Sequence, residues 1–188
     1  MIKIGITGSV SSGKTTASKI ISSNRGPLFS ADKVVKQLYK KISFKKIIAR
    51  KLNFKFNKNF KKALRNKILD NKGSLNTLGK IIHPSVRKEM FSFLKKNKNK
   101  KMVFFEIPLL IENKLKAYFD TIIFIKSNKS LRLKRYMLNG GDRSLFTLLD
   151  SKQIKDLKKM KFCDYVVVNN SSLYVLKKKL LNIIKYYE

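Results

Sequence analysis

The sequence predicts an α/β fold: a doubly wound parallel sheet of five strands that carries a P-loop, an inserted helical subdomain and a lid. Three observations lead there. An apolar run at residues 2–6 passes directly into Gly8-Ser9-Val10-Ser11-Ser12-Gly13-Lys14-Thr15, a Gly-x4-Gly-Lys-Thr loop in the strand, loop, helix order of a phosphate-binding P-loop. Further β-type runs at 28–29, 102–105, 121–125 and 165–168 alternate with helical patterns, as parallel strands joined by crossover helices do. Between the second and third runs, residues 43–100 are almost wholly helical in pattern, so a helical block interrupts the winding.

Each residue type in the loop has a physical reason. Gly8 and Gly13 permit backbone angles that a side chain resists, so successive N–H groups can turn inward around a phosphate. Lys14 supplies a cation to the β- and γ-phosphates, and the Thr15 hydroxyl can bind Mg²⁺. The helix over 15–21, opening at Thr15 and Thr16, adds its positive dipole end. Residues 8–16 are expected to bind a nucleotide.

After Asn24-Arg25-Gly26-Pro27 ends that helix, the strand at 28–29 leads into Ser30-Ala31-Asp32. Asp32 has two readings. An acid at the C-terminal end of a strand points into the ligand crevice of an α/β sheet, and an acid before the helix over 33–39 is an N-cap. In the middle block Ile47, Ile48 and Leu52, then Leu64, Ile68 and Leu69, mark two amphipathic helices separated by the aromatic linker 53–60. Asn71-Lys72-Gly73-Ser74 punctuates before a helix over 75–96, where Pro84 should introduce a kink or a restart. His83 is the only histidine, and a lone histidine in a helical region is more often packed or solvated than functional. The strand at 102–105 precedes Glu106-Ile107-Pro108-Leu109-Leu110-Ile111-Glu112. Beyond the strand at 121–125 come a helix over 129–138, the turn Asn139-Gly140-Gly141-Asp142 and a helix over 146–159. The last strand, 165–168, is followed by an amphipathic helix over 173–187.

Composition narrows the function. A chain of 188 residues with 43% hydrophobic content is one domain with a sizeable core. Its apolar runs are far too short to span a bilayer, and residues 2–16 are committed to the P-loop rather than to a leader, so a cytoplasmic protein with no membrane partner is expected. Cys163 stands alone, which excludes a disulfide framework within these residues. The net charge of +33 would ordinarily raise nucleic-acid binding. The basic residues are scattered, however, and Lys outnumbers Arg by 37 to 7 in a chain without Trp, as an A- and T-rich genome would impose. That bias outweighs a dedicated nucleic-acid surface, although the positive field still favours polyphosphate ligands.

With these residues in view, the chain resembles the dephospho-coenzyme A kinases, P-loop kinases built like nucleoside monophosphate kinases. Pro108-Leu109-Leu110-Ile111-Glu112 looks like that family's Pro-Leu-Leu-x-Glu segment, and His83-Pro84 precedes it at the expected distance. Ser30-Ala31-Asp32 resembles its Asp-Ala-Asp, and Asp164 with Asn169 fits its last-strand pattern. The resemblance implies that ATP, with Mg²⁺, phosphorylates the ribose 3′-hydroxyl of dephospho-CoA to give coenzyme A and ADP. It implies Asp32 as the base at that hydroxyl, and Lys14 and the loop amides as holders of the donor phosphates. Arg65, His83, Pro108, Leu109 and Glu112 match positions that line or support the acceptor pocket. Glu106 would hold a metal-bound water or hydrogen-bond locally. The core would be about 1–40 and 101–188, the substrate-binding insert about 41–100, and the lid about 135–153. Arg135 and Arg143 would meet the adenine face or the transferring phosphoryl group as the lid closes, and Gln153 matches a glutamine of that lid. Departures from the family pattern are Ser30 for the first Asp, Ser9-Val10-Ser11 for a glycine-richer run, and a lid lacking one arginine. Two other functions fit the same motif: another P-loop kinase for a small acceptor such as a nucleoside monophosphate, and a basic nucleic-acid-binding ATPase.

Overall fold

A computed structural model describes residues 1–188, the side chain of Lys72 excepted. The β-type runs form β1 (Ile2–Gly8), β2 (Leu28–Ser30), β3 (Met102–Glu106), β4 (Thr121–Lys126) and β5 (Tyr165–Val168), all parallel in the order β2-β3-β1-β4-β5. Strands buried on both faces read as continuous apolar runs, and every residue of β3 is buried. The register brings strand ends together. Glu106 pairs with Ile6 on one side and Ser30 on the other, so the C-terminal ends of three strands lie level beside the loop after β1.

The chain divides into two compact units, one of Met1–Ser30 with Leu94–Glu188 and one of Ala31–Phe93. In the first, α1 (Lys14–Ser22) and α9 (Leu173–Ile184) cover one sheet face, closing a core of Ile4, Ile6, Ile21, Phe104, Ile125, Leu176 and Leu180. On the opposite face Phe105 meets Phe29 and Phe119 with ring centroids 5.8 and 5.3 Å apart. Gly5 is required there, because a Cβ on it would stand 2.8 Å from Leu110 Cδ1. Each fully buried Phe of this sheet contributes about 2–3 kcal/mol by its removal from water. The same unit holds α6 (Lys129–Leu138), α7 (Arg143–Lys152) and α8 (Asp156–Met160).

The second unit contains α2 (Ala31–Leu38), α3 (Ile42–Lys51), α4 (Phe60–Asp70) and most of α5 (Lys72–Lys96). The linker at 53–60 supplies its centre: Phe54, Phe56 and Tyr39 pack on Phe60 at 5.7, 6.1 and 6.2 Å between centroids. Burial there pushes the Tyr39 hydroxyl up to about 12.

Three local expectations change. The helix over 146–159 is two helices, because Gln153 and Lys155 adopt extended backbone between α7 and α8. Pro84 does not restart the chain. It lies inside the single helix α5, where Ile82 and Met90 remain buried and offset the roughly 3 kcal/mol that an internal proline costs. Finally, α2 begins at Ala31, so Asp32 is a first-turn residue and not the N-cap that one of its two readings required.

Candidate active site

The loop between β1 and α1 has the backbone its glycines call for. Gly8 has φ 150° and Gly13 φ 96°, and each is also sterically enforced. A Cβ on Gly8 would stand 2.4 Å from the Ile125 carbonyl oxygen, and one on Gly13 would stand 2.2 Å from Asn169 Nδ2. Ser11 takes φ 56° without being a glycine, a conformation that costs an L-residue about 1–2 kcal/mol. Lys14 is buried, and its Nζ donates to the Ser9 carbonyl at 2.7 Å, which pins the lysine across the loop.

At the rim, the Thr15 hydroxyl donates to Glu106 Oε1, joining the first turn of α1 to the end of β3. Glu106 is 1% exposed, so Thr15 satisfies a buried carboxylate. Their oxygens are hard donors suited to Mg²⁺. Among the described residues no group of three or more His, Cys, Asp or Glu could hold an ion by itself.

Four side chains grip the loop. Gln153 Oε1 accepts from Val10 N–H at 3.1 Å, and Arg132 Nη1 donates to the Val10 carbonyl at 3.3 Å. The Ser9 hydroxyl donates to Asp156, and Asn169 Nδ2 donates to the Ser12 carbonyl at 2.9 Å. Arg132 is 5% exposed and also donates to the Ser127 carbonyl at 3.1 Å and to Asp150 at 2.6 Å. Arg135 donates to Ser127 Oγ and to the Asn169 carbonyl, both at 3.1 Å, so it braces the strand ends that carry those residues. Arg143 is exposed at the first position of α7, whose N-cap Asp142 accepts from Leu145 N–H at 3.0 Å.

The Pro-Leu-Leu segment is tied to α8. Lys159, fully buried, donates to the Pro108 carbonyl at 2.8 Å and to Glu112 Oε1 at 2.9 Å. Glu112 Oε1 also accepts from Ile154 N–H at 3.2 Å, and Thr7 Oγ1 donates to the Pro108 carbonyl at 3.0 Å. Leu109 is half-buried beside them. Asp164, matched on the last strand, accepts from Ile122 N–H at 2.7 Å and so fixes the start of β4.

In the helical unit Asp32 is exposed in the first turn of α2, and Arg65 is exposed on α4. His83 is half-buried on α5 over Gly79, whose missing side chain leaves room for the ring. Burial, and then the Arg87 cation one turn on, hold His83 below the usual imidazole pKa. No helix among the described residues is long and apolar enough to cross a membrane.

The sequence reading missed Arg132, Asp150, Asp156 and Lys159. A signal for two kinds of them existed in the composition. With seven arginines and 11 acidic residues in a chain of net charge +33, an arginine or acid in the stretch 132–156 is scarce enough to suggest a dedicated partner.

Comparison with known proteins adds independent findings. The family model described as dephospho-CoA kinase matches residues 2–174. The chain is 32% identical over 182 residues to a dephospho-CoA kinase of Fusobacterium nucleatum, covering 94% of each chain. It is 31% identical over 189 residues to a dephospho-CoA kinase of Rickettsia prowazekii, covering 100% of this chain and 98% of that one. A solved structure of the dephospho-CoA kinase from Campylobacter jejuni shares the fold, with a TM-score of 0.66 at 24% identity over 97% of this chain and 95% of that one.

Proposed function

The chain belongs to the dephospho-CoA kinase family, and from that premise we propose how its residues share the work. It is an ATP-dependent kinase, acting at the last step of coenzyme A biosynthesis. The observation that carries the reading is the complete loop: two sterically enforced glycines, a buried Lys14 and the Thr15–Glu106 pair, level with three strand ends.

In this reading residues 8–16 bind the ATP phosphates through backbone N–H groups, with Lys14 on the β- and γ-oxygens. Thr15 and Glu106, whose oxygens are joined by a hydrogen bond, would hold Mg²⁺ beside the phosphates. When bound, that ion neutralises charge on the phosphate oxygens. Asp32 accepts the proton of the ribose 3′-hydroxyl as that oxygen bonds to the γ-phosphorus, the bond to the β,γ-bridging oxygen breaks and ADP leaves; its exposure leaves it accessible to substrate. Transfer of this kind asks mainly for positioning and charge neutralisation, and the grip on the loop supplies the first.

Arg65 and His83 serve the acceptor side of the same reaction. Pro108 and Leu109 bind the acceptor as well, and Glu112, held by Lys159 and Ile154, supports that segment. Arg143 is the lid arginine for the transferring phosphoryl group, being exposed. Arg135 borders the nucleoside, braced by Ser127 and Asn169.

The test is ADP release from Mg-ATP in a coupled assay, with dephospho-CoA, AMP, CMP or single-stranded DNA added at several salt concentrations. Turnover with dephospho-CoA alone, yielding coenzyme A, is expected. Stimulation by DNA, falling steeply with salt, would sink the reading and give the +33 charge a function.

A further inference from the structure

We propose that Arg132, with Gln153, is a positioning residue that sets the shape of the phosphate loop and so governs ATP affinity. This rests on the reading of residues 8–16 as the phosphate site. Both ends of one loop residue are held: the Val10 N–H by Gln153 and the Val10 carbonyl by Arg132. No peptide bond among the described residues is cis, and in a trans peptide the carbonyl and the next N–H point in opposite directions. With the Val10 carbonyl turned to Arg132, the Ser11 N–H points away from that guanidinium. Asn169 does the same for the Ser12 carbonyl, and so for the Gly13 N–H. A guanidinium on the carbonyl also polarises the peptide and makes its N–H the stronger donor to an anion.

The loop needs this hold because Ser11 stands at φ 56°, where serine is disfavoured. Arg132 is itself fixed by several partners: the Ser127 carbonyl, the Asp150 carboxylate and the Phe146 ring, whose centroid lies 5.6 Å from its Cζ. Since Asp150 and Phe146 belong to α7, the position of that helix is transmitted to the amides that face the phosphates. Lysine could not replace the arginine, because a single ammonium lacks the planar fork that serves Val10, Ser127 and Asp150 together. Removing Arg132 does not strand Asp150, which keeps Lys129 at 3.6 Å.

The experiment measures ATP affinity directly by calorimetry, beside steady-state kinetics, for Arg132→Met, Arg132→Lys, Gln153→Ala and each combined with Ser11→Gly. Arg132→Met is expected to weaken ATP binding about tenfold or more, the equivalent of one lost charge-assisted hydrogen bond. KM for dephospho-CoA should not change, and Arg132→Lys should stay weakened. If the loop shape is what was lost, Ser11→Gly raises affinity more in the Arg132→Met and Gln153→Ala backgrounds than in the otherwise unchanged chain, because a shape already populated has less to gain. Unchanged ATP affinity in Arg132→Met, full affinity in Arg132→Lys, or an equal effect of Ser11→Gly in every background would overturn the proposal. Should Arg132→Met not fold, the less buried Gln153→Ala pair decides alone. A wild type that binds ATP yet turns over no dephospho-CoA would remove the kinase reading and leave the clamp standing.

Discussion

The two compact units treat polar side chains in opposite ways. Around the phosphate loop, Lys14, Glu106, Arg132, Lys159 and Asn169 are all buried and each has named partners. In the Ala31–Phe93 unit, Ser74 is the one buried polar residue among those described, and the centre is a stack of aromatic rings. The difference reflects what each unit is asked to do. Charge that develops on a transferring phosphoryl group is stabilised by dipoles fixed beforehand, as the buried polar groups of the loop unit are, whereas the helical unit is centred on apolar rings and carries Asp32 and Arg65 on its exposed surface. The P-loop unit should therefore fail sharply when one polar group is removed. The helical unit should lose function without losing stability.

Lys14→Ala tests the first half of that contrast and should have the largest effect. If residues 8–16 are the phosphate site, removing this buried cation should lower kcat by about 10²–10³, and ATP affinity should fall with it. Kinetics unchanged in both parameters would remove the loop assignment. Asp32→Asn is its counterpart in the helical unit, with an expected loss of about 10³ in kcat and ATP binding left intact. Full turnover in that variant would mean that another group takes the proton.

Stability separates the units again at the next level. Glu112→Ala leaves the fully buried Lys159 without its carboxylate, and denaturant titration should show a loss of about 3–5 kcal/mol. Arg65→Ala, on the exposed face of α4, should change stability by no more than about 0.5 kcal/mol while raising KM for dephospho-CoA. Equal stability losses at the two positions would erase the distinction.

Legibility in the sequence divides along the same line. Local chemistry wrote the P-loop: Gly8 and Gly13 are needed for their angles, and Lys14 and Thr15 come next in sequence, so loop, strand and helix could all be read from one stretch. The five parallel strands needed no more than the alternation of apolar runs with helical patterns. The grip on the loop was hidden because Arg132, Gln153 and Asp156 lie 122, 143 and 147 residues from their loop partners, and periodicity says nothing about such pairs. The break between α7 and α8 was hidden for a related reason. A run that reads as one helix is interrupted where Gln153 turns to the Val10 N–H, a tertiary contact that overrides propensity. At Pro84 the restart that a proline allows does not occur, because α5 runs on through it with Ile82 and Met90 buried.

The smallest expected effect concerns pH, and it sharpens the contrast at His83. Burial and the Arg87 cation lower its pKa in the native protein, while the unfolded chain keeps a value near 6.5. In the window between the two, the unfolded state binds the proton first, so stability rises with pH there. The contribution is present above about 6.5 and is lost as the pH falls through the lowered native value. His83→Gln should flatten that part of the stability curve, read by denaturant midpoints at pH 7.5 and 5.5. It should also raise KM for dephospho-CoA at pH 7.5 if the imidazole meets the acceptor. A flattened curve with KM unchanged would make His83 a packing residue, filling the space that Gly79 leaves it. Asp32 and Arg65 would then be the acceptor contacts of the helical unit.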